Sequence, residues 1–160
     1  MTEFTTPDLF DEHRDSVDVP HSGLSHFGGL QKFYGQAVTV TCPEDNSLAW
    51  EILKQPGQGK VLVIDGFASH KYAFIGDIMA TNAIDNGWVG VIVNGCCRDI
   101  EILREMQLGV MALGTTPRST VKRGFGDRDR AVTILSATIR PGDWLYADVN
   151  GLIVSPAPLL

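Results

Sequence analysis

The chain has 160 residues, of which 44% are hydrophobic and 20% charged, with a formal net charge of -6. This is the length and apolar content of a single domain with a sizeable core. The acidic balance and the lack of a Lys/Arg run argue against direct nucleic-acid binding, though not against a protein partner.

No stretch approaches the roughly 18 apolar residues of a membrane helix. Met1 to Pro20 is polar and carries no apolar signal region, so a cytoplasmic, non-membrane protein is expected. The three cysteines, Cys42, Cys96 and Cys97, are odd in number and suggest reduced thiols rather than a disulfide framework.

In chain order, Thr6 to Glu12 has the caps and early acids of a short helix. Val17 to Gly29 reads as loop. Gln36 to Cys42 alternates and is β-rich, and Pro43 stops it. Asn46-Ser47 then opens a helix through Leu48, Trp50, Ile52 and Leu53 that ends near Gly57. Lys60 to Gly66 is an apolar run with a polar exit, as in a buried parallel strand. Ile75 to Asn86 is a helix stopped by Gly87, and Trp88 to Gly95 is a second buried strand. Asp99 to Gln107 is a further helix and Gly109 to Gly114 a third strand.

This βαβαβ centre implies right-handed crossovers and a parallel sheet. Four short strands come next, over 130–135, 138–140, 144–148 and 152–154, with turns at Pro141-Gly142-Asp143 and Asn150-Gly151. The expected fold is a layered α/β domain with two sheets, a βαβαβ centre and flanking β-hairpins.

In such sheets ligands gather beyond the carboxyl ends of the parallel strands. Asp65-Gly66 leaves the first strand and Asn94 to Asp99 the second, while Gly76-Asp77 opens the helix between them. Asp77, Arg98 and Asp99 therefore converge. Arg98 offers a planar fork for a carboxylate or an enolate oxygen. Asp99 offers the hard oxygen ligand with which Mg²⁺ is often held beside waters and substrate oxygens. The free N–H groups of the helix start suit a carboxylate. A metal polarising a 2-oxo group stabilises the enolate left when a C–C bond breaks, and Asp77 orients the water that moves the proton.

Each residue also has a plainer reading. Asp77 and Asp99 can be helix caps, and Arg98 a surface ion pair. The four histidines, His13, His21, His26 and His70, lack zinc-ligand spacing. Cys96 and Cys97 read as small buried hydrophobes. Arg118 to Arg130, interleaved with Asp127 and Asp129, reads as a solvated loop.

Gly76-Asp77, twenty intervening residues, then Arg98-Asp99 resembles the D-x20-R-D motif of the RraA-like family. Phe27-Gly28-Gly29, Phe33-Tyr34-Gly35, Glu44-Asp45-Asn46, Val61 to Gly66, Ala112 to Thr115 and Pro141-Gly142-Asp143 also look like that family, so the resemblance covers nearly the whole chain. The family includes class II 4-hydroxy-4-methyl-2-oxoglutarate aldolases and the regulator of ribonuclease activity A.

The resemblance implies a single domain over 1–160 with the swivelling β/β/α fold, usually a homotrimer. It implies a divalent cation, Mg²⁺ or Mn²⁺, on Asp99, with Arg98 and Asp77 catalytic and Asp77 contacting water on the metal. Gly76, Asp77, Ile78, Met79 and Arg98 would hold a small 2-oxo acid. The implied reaction is cleavage of 4-hydroxy-4-methyl-2-oxoglutarate to two pyruvates through pyruvate enolate, with secondary oxaloacetate decarboxylation. The alternative is a non-catalytic trimeric inhibitor of an RNase E-type enzyme.

Two departures bear on this choice. The last residues, Ser155 to Leu160, contain no acid, whereas the larger aldolases supply one from a longer C-terminal region to a neighbouring subunit. In contrast, ribonuclease regulators often lack the full D-x20-R-D set that this chain keeps. A menaquinone-pathway methyltransferase, a label sometimes attached to the family, is disfavoured because no glycine-rich loop suited to a methyl-donor nucleotide lies after the first strand.

Overall fold

The computed structural model describes residues 3–160. Its elements are α1 (Thr6–His13), β1 (Ser25–His26), β2 (Phe33–Thr41), α2 (Ser47–Leu53), β3 (Val61–Ile75), α3 (Asp77–Asp85), β4 (Gly90–Cys97), α4 (Ile100–Leu103), β5 (Gly109–Thr115), β6 (Val132–Ile134), β7 (Ala137–Ile139), β8 (Trp144–Asp148) and β9 (Gly151–Ser155). Seven strands form one sheet in the order β1-β5-β4-β3-β2-β8-β9, and β6 and β7 pair separately. The four central neighbours β2, β3, β4 and β5 run parallel, while β1, β8 and β9 close the sheet with antiparallel pairs. The expected α/β class, its βαβαβ centre and its second sheet are all present.

Side-chain alternation explains the unbroken apolar strands. Leu62 and Ile64 of β3, with Val91 and Val93 of β4, face a core shared with Ala49, Ile52 and Leu53 of α2 and Met79, Ala80 and Ala83 of α3. Val61, Val63 and Ile92 face the opposite way, onto Val132, Ile134, Ala137 and Ile139 of the β6–β7 hairpin. With a layer on each side, both faces of these strands must be apolar.

On the hairpin side, Phe33 is 1% exposed. Gly90 and Gly109 are paired in register, and a Cβ on either would strike the Phe33 ring, so two adjacent glycines form the notch it fills. At the sheet edge, Asp148 accepts hydrogen bonds from the N–H and hydroxyl of Thr6, both 2.7 Å, and so fixes the start of α1 on β8.

Among the boundaries that depart from expectation, four have an evident cause. The segment read as loop contains the edge strand β1, held to β5 through Ser25 and His26. β3 runs on to Ile75 through register shifts after Asp65, with Phe67 and Ala68 at positive φ, so Ile75 ends a strand rather than opening a helix. β4 extends through Cys96 and Cys97, which pair with Gly114 and Thr115. Finally, α4 is a single turn rather than a helix to Gln107. The carbonyls of Leu103 and Met106 accept from the Gly29 N–H and from the nearby Met106 and Leu108 N–H groups, tight turns in place of continued α-helix.

Candidate active site

β3 ends at Ile75 and β4 at Cys97, side by side in register, so the segments leaving the two strands meet at one end of the sheet. Gly76-Asp77 begins α3 there, and Arg98-Asp99 begins α4. The Arg98 N–H donates to the Ile75 carbonyl at 3.1 Å and ties the two exits together. The structure thus brings Gly76, Asp77, Ile78, Met79, Arg98 and Asp99 to the walls of one recess of about 50 Å³. Arg98 and Asp99 also border a neighbouring open cleft of about 430 Å³ with Thr115, Thr116 and Pro117.

Asp99 does not cap its own helix. It sits at φ 62°, ψ 42°, left-handed backbone that costs a non-glycine residue energy but that aspartate tolerates best. The turn throws its carboxylate back onto α3, where Oδ2 accepts from the Asp77 N–H at 3.1 Å. Gly76, the N-cap of α3, has no side chain with which to cap it, and Asp99 does so from across the site. A Cβ on Gly76 would lie 2.5 Å from that same Oδ2, so any larger residue there would push the Asp99 carboxylate aside.

Of the other first-turn donors, the Ile78 N–H points to Asp77 Oδ1 at 2.8 Å. Arg98 stretches between Asp99, with Nε 3.9 Å from Oδ2, and the Pro117 carbonyl, which accepts from an Nη at 3.2 Å. Its side chain remains 44% exposed, so the rest of the fork is free to meet a ligand.

The donor set discriminates among metals. Among the described residues no three His, Cys, Asp or Glu side chains cluster, which rules against a protein-caged zinc site. Two aspartates at one recess are hard oxygen donors of the number that Mg²⁺ or Mn²⁺ accepts when water and substrate complete the shell. The residues present therefore fit such a cation, Asp99 and Asp77 being the carboxylates that could hold it.

Six further residues line the recess and were not read as site residues from sequence: Asn46, Trp50, Ala73, Ile75, Ser119 and Lys122. Asn46 looked like an ordinary helix cap, yet its side chain makes no cap bond. Ser119 and Lys122 belong to the stretch read as a solvated loop. That stretch is anchored by Asp45, which is fully buried and accepts from the Ser47 N–H and hydroxyl and from the N–H groups of Arg123 and Phe125.

Burial works against ionisation of Asp45, but those hydrogen bonds outweigh it and hold the carboxyl below its ordinary range. A depressed folded-state pKa stabilises the fold above the unfolded value of about 3.9, and this contribution is lost as pH falls through the lower folded value. Asp45→Asn is therefore expected to destabilise the protein at neutral pH, with the gap to wild type narrowing in acid. Urea unfolding at a series of pH values checks this.

Cys96 and Cys97 lie in β4, 1% and 0% exposed. Burial pushes the Cys97 thiol up to about 12, which suits a packing residue rather than a nucleophile.

The family model described as Aldolase/RraA matches residues 6–154. The chain belongs to the RraA-like family. A relative from Pseudomonas fluorescens Pf-5 is 48% identical over 159 residues, covering 99% of this chain and 98% of its own, and is provisionally named 4-hydroxy-4-methyl-2-oxoglutarate aldolase. A relative from Hahella chejuensis with the same provisional name is 46% identical over 157 residues, covering 98% of this chain and 96% of its own.

Two solved structures are similar throughout. The RNA-processing inhibitor RraA from Thermus thermophilis has a TM-score of 0.94 at 36% identity, over 99% of this chain and 96% of that one. A Geobacillus kaustophilus protein named S-adenosylmethionine:2-dimethylmenaquinone methyltransferase has a TM-score of 0.93 at 38% identity, over 98% and 97%. Among the described residues, no helix is long and apolar enough to cross a membrane.

Proposed function

We propose that this RraA-like protein is a divalent-metal-dependent aldolase that cleaves 4-hydroxy-4-methyl-2-oxoglutarate to two pyruvates and decarboxylates oxaloacetate as a secondary activity. The observation that carries the reading is the strained Asp99, whose carboxylate is turned into the recess beside Asp77 and the half-free Arg98 fork. The aldolase names of relatives 46% and 48% identical over nearly the whole chain support it.

In this reading Asp99 holds Mg²⁺ or Mn²⁺, with Asp77 near it. When bound, the cation withdraws charge from the substrate's 2-oxo group. Arg98 donates to the oxygen on which the enolate charge develops, a planar donor aimed at charge that grows only as the C–C bond breaks. The α3 start binds the C1 carboxylate. For this the Asp77 carboxylate must leave the Ile78 N–H, which frees it to orient the water that takes the C4 hydroxyl proton. The electron pair of that O–H bond becomes the new carbonyl, the C3–C4 bond breaks, and a proton returned to C3 completes the second pyruvate.

The same enolate forms when oxaloacetate loses CO₂, so one site serves both reactions. Ile78, 63% exposed at the mouth of the recess, is the kind of side chain that a second copy in a homotrimer would cover.

Gly76→Ala is expected to lower kcat/KM about 100-fold by displacing the Asp99 carboxylate, since misplacement on the order of 1 Å is enough for such a loss. Pyruvate formation across a Mg²⁺ titration checks this, and a variant with wild-type kinetics would remove Asp99 from the account.

The second reading is an inhibitor of an RNase E-type enzyme in which the recess is vestigial. It is favoured by the likeness to the Thermus RraA structure. Capture of RNase E by the purified protein, with no lyase activity on either substrate, would establish it. Methyl transfer receives less support, because β3 continues as strand to Ile75 and no glycine-rich turn suited to a methyl-donor nucleoside opens after it.

A further inference from the structure

Two residues that line the recess beside Asp77 and Asp99 carry buried polar atoms that the proposed reaction does not yet use. Asn46 is 4% exposed. Its Nδ2 donates to the Phe74 carbonyl at 3.1 Å and lies 3.4 Å from the Met79 sulfur. The carbonyl accepts only from a donor, so the amide is locked with Oδ1 as its free end, and Oδ1 has no partner. One helical turn on, the Trp50 N–H donates to the Asn46 carbonyl at 3.0 Å, which puts the two side chains on the same side of α2. Trp50 Nε1 is likewise buried without a partner. Both residues line the recess. Buried polar atoms are rarely left unpaired, and two at the wall of one recess mark a place for a ligand.

From these observations we propose that Asn46 Oδ1 and Trp50 Nε1 form a hydroxyl-binding subsite. One atom can only accept and the other can only donate, and a hydroxyl answers both. A carboxylate would face the amide oxygen unfavourably, and an ammonium would face the indole N–H. The recess, about 50 Å³, holds only part of a six-carbon acid: the hydroxyl on its Asn46–Trp50 side, with the C1 carboxylate at the α3 start along its rim and the remainder past Arg98 in the adjoining cleft. On the aldolase reading, on which this inference rests, the group is the C4 hydroxyl of the substrate. Trp50 donates to the oxygen that becomes the product ketone, and Asn46 Oδ1 accepts the hydroxyl hydrogen in the bound complex until the O–H turns to the water that Asp77 orients and the proton passes to it. Oxaloacetate has no such hydroxyl, so the subsite distinguishes the two reactions at one site.

Trp50→Phe tests this with little disturbance. It removes the N–H and keeps an aromatic face for Lys54 and Lys122, whose ammonium groups each lie 5.7 Å from the Trp50 ring centroid. The expected result is a loss of about 10- to 100-fold in kcat/KM for 4-hydroxy-4-methyl-2-oxoglutarate, with oxaloacetate decarboxylation within about twofold of wild type. Equal losses on both substrates, or no loss on either, would overturn the subsite while leaving the aldolase intact.

A second readout is independent of turnover. In the Arg98→Ala protein with Mg²⁺, which does not consume the ligand, 4-hydroxy-4-methyl-2-oxoglutarate is expected to shift the indole N–H resonance assigned to Trp50, and pyruvate, which has no hydroxyl, is not. A wild-type protein that turns over neither substrate contradicts the aldolase reading, and the resonance still decides the subsite. Movement with the hydroxy acid alone upholds it, and no movement, or equal movement with pyruvate, refutes it.

Discussion

Replacing Arg98 by alanine is expected to lower kcat/KM for 4-hydroxy-4-methyl-2-oxoglutarate by at least about 1,000-fold, a loss of about 4 kcal/mol in transition-state stabilisation. The guanidinium is the single cation that α4's start contributes to the recess, and its role is to meet an oxygen that becomes fully charged only as the C–C bond breaks. The fold is expected to survive, because the side chain is 44% exposed and its fixed contact is one bond to the Pro117 carbonyl. Melting temperatures within about 2 °C of wild type, measured beside the kinetics, separate loss of chemistry from loss of structure. Arg98→Lys keeps the charge without the planar fork and is expected to recover little. Full activity in Arg98→Ala would place the reaction elsewhere.

The largest expected effect on stability comes from the far end of the same strands. Phe33 fills the notch made by Gly90 and Gly109, the first residues of β4 and β5, whereas Arg98 and Asp99 come just after the last residue of β4. Phe33→Ala opens a cavity that the two glycines cannot collapse to fill, and is expected to cost about 3–5 kcal/mol. For a chain of this size the melting temperature should fall by roughly 10 °C. Below the new transition, kcat/KM per folded molecule should be unchanged, since the notch and the recess lie at opposite ends of the sheet. A loss of activity without a loss of stability would mean that the two ends are coupled.

How much of this is legible in the sequence depends on how local the cause is. Val61 to Ile64 and Val91 to Val93 announce buried strands because both faces must be apolar, and that pattern lies in the residues themselves. The end of α4 is not local: it depends on Gly29, more than seventy positions earlier, which captures the carbonyls of Leu103 and Met106. The extension of β3 is hidden because Phe67 to Tyr72 is mixed in polarity and its pairing with β4 shifts register, which no period-2 pattern records.

The site divides in the same way. Asp77, Arg98 and Asp99 stand at strand exits and a helix start, positions that the sequence marks. Asn46 and Trp50 do not, since an asparagine before a helix reads as a cap and a tryptophan within one as core. The missing cap bond and the unpaired Oδ1 and Nε1 emerge only when α2 is packed against Phe74 and Met79.

The central claim is that Asp99 holds the divalent cation on which turnover depends. It is tested most directly by measuring pyruvate released from 4-hydroxy-4-methyl-2-oxoglutarate with Mg²⁺ or Mn²⁺, with EDTA, and with metal restored, in wild type and in Asp99→Ala. The expected result is turnover that EDTA abolishes and metal restores in wild type, and none under any condition in the variant. Turnover that persists in EDTA, or an Asp99→Ala protein as active as wild type, would contradict it.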